Sequence, residues 1–266
     1  MAKSLKVLLF LILIIVPIFF YRTLNRQSNI NNKVLSFSSG EGNFRKPKIA
    51  LIFDDLGESL KDLKSIYSLN IPLTISVIPN LRFSKNIAHI ASRCGFSVFI
   101  HLPLEPASSQ QYQTNKYKFI TSDLSEREVI LLLRQYLNSI RIAIGVNNHM
   151  GSLATQDRKL MSIILNELKK RNLIFIDSKT SLKSIAYEEA RKIELISGYN
   201  QGFLDAVDNI EVMERRMEEL IKLAKEKGKI IIIAHPRDST LKFLKTQLPS
   251  IIKKIEFITI KDYFEL

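Results

Sequence analysis

The chain has 266 residues; 46% are apolar and only nine are glycine, a composition that builds a core and excludes a disordered protein. Its formal charge is +13, of which residues 1–46 carry +6. The remainder is spread over lysines on helix-like faces, with no basic stripe interleaved with aromatics and no helix-turn-helix pattern, so nucleic-acid binding is excluded. What the excess charge leaves open is affinity for an anionic membrane surface or envelope polymer. Cys94 is the only cysteine, which rules out an intramolecular disulfide and a cysteine-built metal centre. It reads as a small buried residue near a helix end.

Lys3 and Lys6 precede Val7 to Phe20, an apolar stretch interrupted only by Pro17. From Leu5 to Tyr21 it runs about 17 residues, the lower end for spanning a bilayer. No small-x-small cleavage pattern follows, so residues 1–21 read as an uncleaved signal anchor in preference to a cleaved signal peptide. Residues 22–46 are rich in Asn, Ser, Gln and Lys and read as a flexible tether.

Residues 47–266 read as one domain. Strand-like runs at 48–53, 73–78, 96–101, 142–147, 173–177, 229–234 and 255–260 alternate with helical patterns. The helices are predicted over Glu58–Leu69, Ser84–Arg93, Ser125–Ser139, Thr155–Arg171, Asn209–Lys227 and Ser239–Leu248. Ser125-x-x-Glu128 is a capping box, and Gly228 stands where a helix stops. This alternation implies βα units and a parallel sheet, either closed into a barrel or open and doubly wound. Residues 103–122 carry neither signal and suggest a rim loop or flap.

Four of these apolar runs end in polar residues: Asp54-Asp55, His101, Asn147-Asn148-His149 and His235. Parallel sheets bind ligands at the carboxyl ends of their strands, so the four endings point to one site. Adjacent carboxylates repel, and a divalent cation keeps both ionised. One can then hold the metal while its neighbour takes a proton from water. His101 and His149 are candidate ligands. His235, titrating near neutrality, suits a general acid. Asn147 and Asn148 can orient substrate or water. Asp177, ending the Leu173–Ile176 run, can orient His235 or bind substrate. Glu105 stands four residues after His101, but Pro103 and Pro106 favour an irregular turn between them. His89 lies mid-helix and reads as a surface or packing residue.

The strings Ile52-Phe53-Asp54-Asp55-Leu56-Gly57, His101-Leu102-Pro103-Leu104-Glu105-Pro106, Gly145-Val146-Asn147-Asn148-His149-Met150-Gly151-Ser152, Phe175-Ile176-Asp177-Ser178 and Ala234-His235-Pro236 together resemble the divergent polysaccharide deacetylase family. The similarity runs in order through residues 47–262. It implies an irregular (β/α) barrel of about seven parallel strands. It also implies a relationship to the conventional polysaccharide deacetylases, metal-dependent hydrolases that remove acetyl groups from N-acetylated sugars. In those terms Asp54 is the base and His235 the late catalytic histidine. Asp55, His101 and His149 form the metal set, and two imidazoles with one carboxylate suit zinc. The second histidine of the conventional His-x-x-x-His motif is replaced by Glu105, which either supports that set or substitutes as a ligand.

The resulting expectation is a hydrolase on the periplasmic side of the inner membrane, tethered there by its first segment or secreted if that segment is cleaved. Its substrate is an N-acetylated envelope polysaccharide or amino sugar. The alternative is a non-catalytic envelope protein whose degenerate barrel binds a glycan or a protein. The oligomeric state has no signature in the sequence.

Overall fold

The structure is a computed structural model that describes residues 46–108 and 116–266. The expected anchor at residues 1–21 lies outside the described residues, as do all but Lys46 of the tether and the centre of the 103–122 loop. Among the described residues, no helix is long and apolar enough to cross a membrane.

The described strands are β1 (Lys48–Leu56), β2 (Thr74–Val77), β3 (Ser97–Leu104), β4 (Gly145–Met150), β5 (Ile174–Asp177), β6 (Ser197–Tyr199), β7 (Lys229–Ala234) and β8 (Glu256–Ile258). They pair in the order β6-β5-β4-β3-β2-β1-β7, with all pairings parallel. A single bridge between Phe203 and Ile233, with Gln201 on Ile231, draws the chain after β6 against β7. The result is a nearly closed seven-stranded barrel. Strand β8 is not a stave of it. It pairs with Lys48–Ala50 of β1, below the point at Ile52 where β2 begins to pair.

Helices α1 (Leu60–Tyr67), α2 (Ser84–Arg93), α3 (Glu126–Ser139), α4 (Arg158–Lys170), α5 (Ala186–Lys192), α6 (Ile210–Lys227), α7 (Asp238–Lys254) and α8 (Ile260–Tyr263) connect and follow the strands. Ser125 and Glu128 form the predicted capping box, Asn209 caps α6, and Gly228 ends it at φ 78°. Helix α7 runs past its predicted end, with Pro249 inside it, because the buried Ile251 packs on the next turn. Strand β6 and helix α5 were not expected. Ser-Gly-Tyr is too short a run to read as a strand, and α5 spans only seven residues. Cys94 is exposed, contrary to expectation, because the buried face of α2 is taken by Ile87, Ala88 and Ala91. His89 is exposed, as its position suggested.

Two apolar clusters form the core. The larger packs the helices on the outside of the sheet; the smaller fills the barrel with Ala50, Ile52, Phe99, Ile174, Ile176, Ile231 and Ile233 among others. Side chains alternate across a strand, so residues two apart share a face. Continuing the inward positions upward places Asp54 above Ile52, His101 above Phe99 and His235 above Ile233. On β4 the same face carries Gly145, where a side chain would collide with the Phe99 ring, then Asn147 and His149. On β5 the inward residues are Ile174 and Ile176, which turns Asp177 outward.

Candidate active site

The upward-facing residues converge on a cavity of about 440 Å³ lined by Asp54, Asp55, His101, His149, His235 and Arg237, among others. Adjacent residues of a regular strand face opposite ways, so a carboxylate pair at one site needs an irregularity. Strand β1 supplies it: the register with β2 shifts between Phe53 and Leu56, and Asp55 adopts φ 62°. Its carboxylate then turns toward the same mouth as that of Asp54.

Asp55 Oδ1 lies 3.1 Å from His101 Nε2 and 2.9 Å from His149 Nδ1. Neither approach is aligned as a hydrogen bond, and Oδ1 is a buried atom without a hydrogen-bond partner. One ligand atom from each of the three residues lies within 4.8 Å of the others. Three potential donor atoms this close together, one of them a carboxylate oxygen lacking an aligned hydrogen-bond donor, fit a divalent cation. Two imidazoles and a carboxylate are a zinc-type donor set. Burial raises the cost of charge on Asp55, but the two nearby imidazoles outweigh it and hold the carboxyl well below its ordinary range.

Asp54 is almost fully buried, and burial pushes its carboxyl up to about 6 against the pull of His101 and His235. Asn147 Nδ2 donates to both of its oxygens, at 2.8 and 3.0 Å. Asn147 Oδ1 accepts from Ser76 Oγ and lies 3.1 Å from His101 Nδ1. With Nδ1–H donated to that oxygen, the His101 lone pair is on Nε2, beside Asp55. Burial disfavours the charged form of His101, yet Asp54 and Asp55 raise its pKa overall. Burial lowers that of His149.

His149 is held from the far side by residues that the sequence left in a featureless loop. Tyr117 Oη lies 2.9 Å from His149 Nε2, and the Phe119 ring stacks on the imidazole at 6.3 Å between centroids. Burial, with the charge of Asp55, pushes the Tyr117 hydroxyl up to about 12, so it stays protonated. Tyr117 also lines a second cavity of about 870 Å³ beside α3.

His235 is held by Asp205, which the sequence reading did not single out. Asp205 is fully buried; Oδ1 lies 2.9 Å from His235 Nδ1, and Oδ2 accepts from His235 N and Thr240 Oγ1. Burial opposes the charge of His235, but the hydrogen bond and charge of Asp205 raise its pKa. Nε2 is left facing the cavity, 3.9 Å from Asp55 Oδ2. The ring of Phe203 stacks on His235 at 6.0 Å.

Asp177 does not reach His235. Its carboxylate accepts from Ser184 Oγ at 2.6 Å and pairs with Lys179, on the outer face of β5. Asn148 lines the cavity, but both ends of its amide are engaged: Nδ2 donates to Met150 O, and Oδ1 accepts from Ser178 N. Glu105 follows an extended strand in place of a helical turn. Its carboxylate accepts from Ser122 N and Ser122 Oγ, both at 2.7 Å, apart from the three convergent residues.

The description "divergent polysaccharide deacetylase" belongs to the family profile that matches residues 51–264. An uncharacterised protein of Haemophilus influenzae is 29% identical over 215 residues, covering 81% of this chain and 76% of that one. The crystal structure of an uncharacterised Agrobacterium tumefaciens protein superposes with a TM-score of 0.75 at 20% identity, covering 85% of this chain and 91% of the other. A peptidoglycan N-acetylglucosamine deacetylase, Bc1960, shares the fold with a TM-score of 0.52 at 14% identity, over 84% of this chain and 91% of its own.

Proposed function

Because the chain belongs to the divergent polysaccharide deacetylase family, we propose that it is a metal-dependent hydrolase that removes N-acetyl groups from an envelope polysaccharide or amino sugar. The observation that carries this reading is the convergence of Asp55, His101 and His149 between a buried carboxylate, Asp54, and a carboxylate-backed imidazole, His235. A zinc-type cation held by the three would polarise an acetamide carbonyl and acidify water.

The remaining roles fall to the chain itself. Asp54, near 6 and gripped by Asn147, takes the proton of the attacking water. His235, whose pKa is raised by Asp205 against the effect of burial, presents Nε2 to the cavity and gives a proton to the departing amine. Arg237 lines the same mouth and suits the polar edge of a sugar. The basic start and apolar run of residues 1–21 support a tether in the inner membrane, with the barrel on the periplasmic side.

Acetate release from N-acetylglucosamine oligomers or peptidoglycan by zinc-loaded protein is the test. Asp54→Asn and His235→Ala should each cost about 100-fold or more, as removal of a general base or acid does. Unchanged rates in both variants would remove the assigned roles. The non-catalytic reading rests on Glu105, which is turned to Ser122 where the conventional pattern has a ligand. Protein that takes up no stoichiometric divalent metal would favour it.

A further inference from the structure

We infer that Tyr117 is the positioning residue of the metal set: its hydroxyl accepts the Nε2–H of His149 and so leaves the Nδ1 lone pair to the cation. The inference rests on the metal-centre reading above and assigns a residue and a tautomer to it.

Two geometric facts carry it. Nδ1, not Nε2, is the His149 nitrogen beside Asp55 Oδ1, at 2.9 Å, and the contact is not aligned as a hydrogen bond. Nε2 is 2.9 Å from Tyr117 Oη. A neutral imidazole carries one proton, and the hydrogen bond made by one nitrogen decides which nitrogen is free to ligate. His101 is fixed in the mirrored sense, with Nδ1 on Asn147 and Nε2 on the cation side. The two histidines therefore present opposite ring nitrogens, each selected by a neutral partner.

The backbone around Tyr117 is anchored for this task. Tyr136 Oη donates to Lys118 O and accepts from Lys118 N. Ile120 bridges Leu104, and its N–H donates to Pro103 O. Glu105 grips Ser122 through two hydrogen bonds. Glu105 thus ties down the strap that delivers Tyr117, which gives the residue at the altered motif position a role without ligation.

The test uses Tyr117→Phe, which keeps the ring against Phe119 and deletes one oxygen. Zinc affinity, measured by chelator competition, should fall about 10–100-fold, the usual cost of losing such a partner. An affinity within about twofold of wild type overturns the inference. Independently, long-range ¹H–¹⁵N spectra of zinc-loaded wild type should show His149 protonated at Nε2; protonation at Nδ1 overturns it. Wild type that binds no zinc would instead sink the hydrolase reading. The metal-free spectra then decide for Tyr117: Nε2-protonated His149 in wild type, giving way to mixed tautomers in Tyr117→Phe, supports the inference. An unchanged tautomer ratio overturns it.

Discussion

Asn147 donates from one nitrogen to both oxygens of Asp54, at 2.8 and 3.0 Å. The same amide receives His101 Nδ1 and Ser76 Oγ on its oxygen and gives its nitrogen to Ser178 Oγ at 3.1 Å. It is fully buried, so it holds Asp54 and His101 from beneath and lies out of reach of a ligand in the cavity. Asn147→Leu should fold with a loss of about 1–3 kcal/mol for the buried partners left unpaired. Acetate release and zinc affinity should fall together, read by a coupled assay and a chelator titration. A variant with full activity would show that the amide merely fills space.

Asp205→Asn tests the acid. His235 must be protonated to donate, so activity falls as pH rises through its pKa. Asp205 raises that pKa against the opposing effect of burial. Removing the charge should therefore move the alkaline limb of kcat/KM to lower pH, while the acid limb moves less. An alkaline limb that stays in place would mean that another group donates.

Metal uptake should weaken toward acid pH. His101 is raised in the metal-free protein, with burial opposing and Asp54 and Asp55 prevailing, so protons compete for its Nε2. The apparent zinc affinity should drop about tenfold per pH unit for each proton displaced, below the pKa of His101. Calorimetry in buffers of different ionisation enthalpy counts the protons released. A pH-independent affinity would exclude His101 as a ligand.

Glu105→His restores the conventional spacing yet should add no ligand. The side chain at 105 follows an extended strand and is directed to Ser122, where it anchors the rim strap. Zinc stoichiometry should stay unchanged, and thermal stability should fall. A second bound zinc or a tighter first one would refute this.

Gly151→Ala should destabilise the protein by about 1–3 kcal/mol, because the site demands left-handed backbone. Gly151 sits at φ 85°, and an added Cβ would stand 3.0 Å from that of Leu104. Urea unfolding measures the loss. A variant as stable as wild type would mean that the turn after His149 relaxes freely.

The strand ends of the site were legible because apolar β-branched runs stop abruptly at Asp54, His101, His149 and His235. The facing of Asp177 was not. Strand β5 is apolar on both sides, so its sequence shows no alternation from which to read direction. Asp205 and Tyr117 escaped for a different reason. Each lies in irregular chain beyond any periodic run: the seam between β6 and β7 brings Asp205 under His235, and the bridge of Ile120 to Leu104 brings the Tyr117 segment behind His149. Of the barrel itself, six staves carried their own signal. The seventh, β6, is three residues long and leans on its neighbours.

The seam between β6 and β7 has a consequence for how the molecule fails. Phe203 supplies both the bridge to Ile233 and the ring stacked on His235, and two residues later Asp205 grips the same imidazole. Closing the cylinder and positioning the His235 imidazole are therefore one event. Amide exchange at Leu204 and Ile233 should track loss of turnover under mild denaturant, ahead of global unfolding. On the proposed function, the joint that zips the fold is also its safety catch: when it slips, chemistry should stop while most of the scaffold still stands.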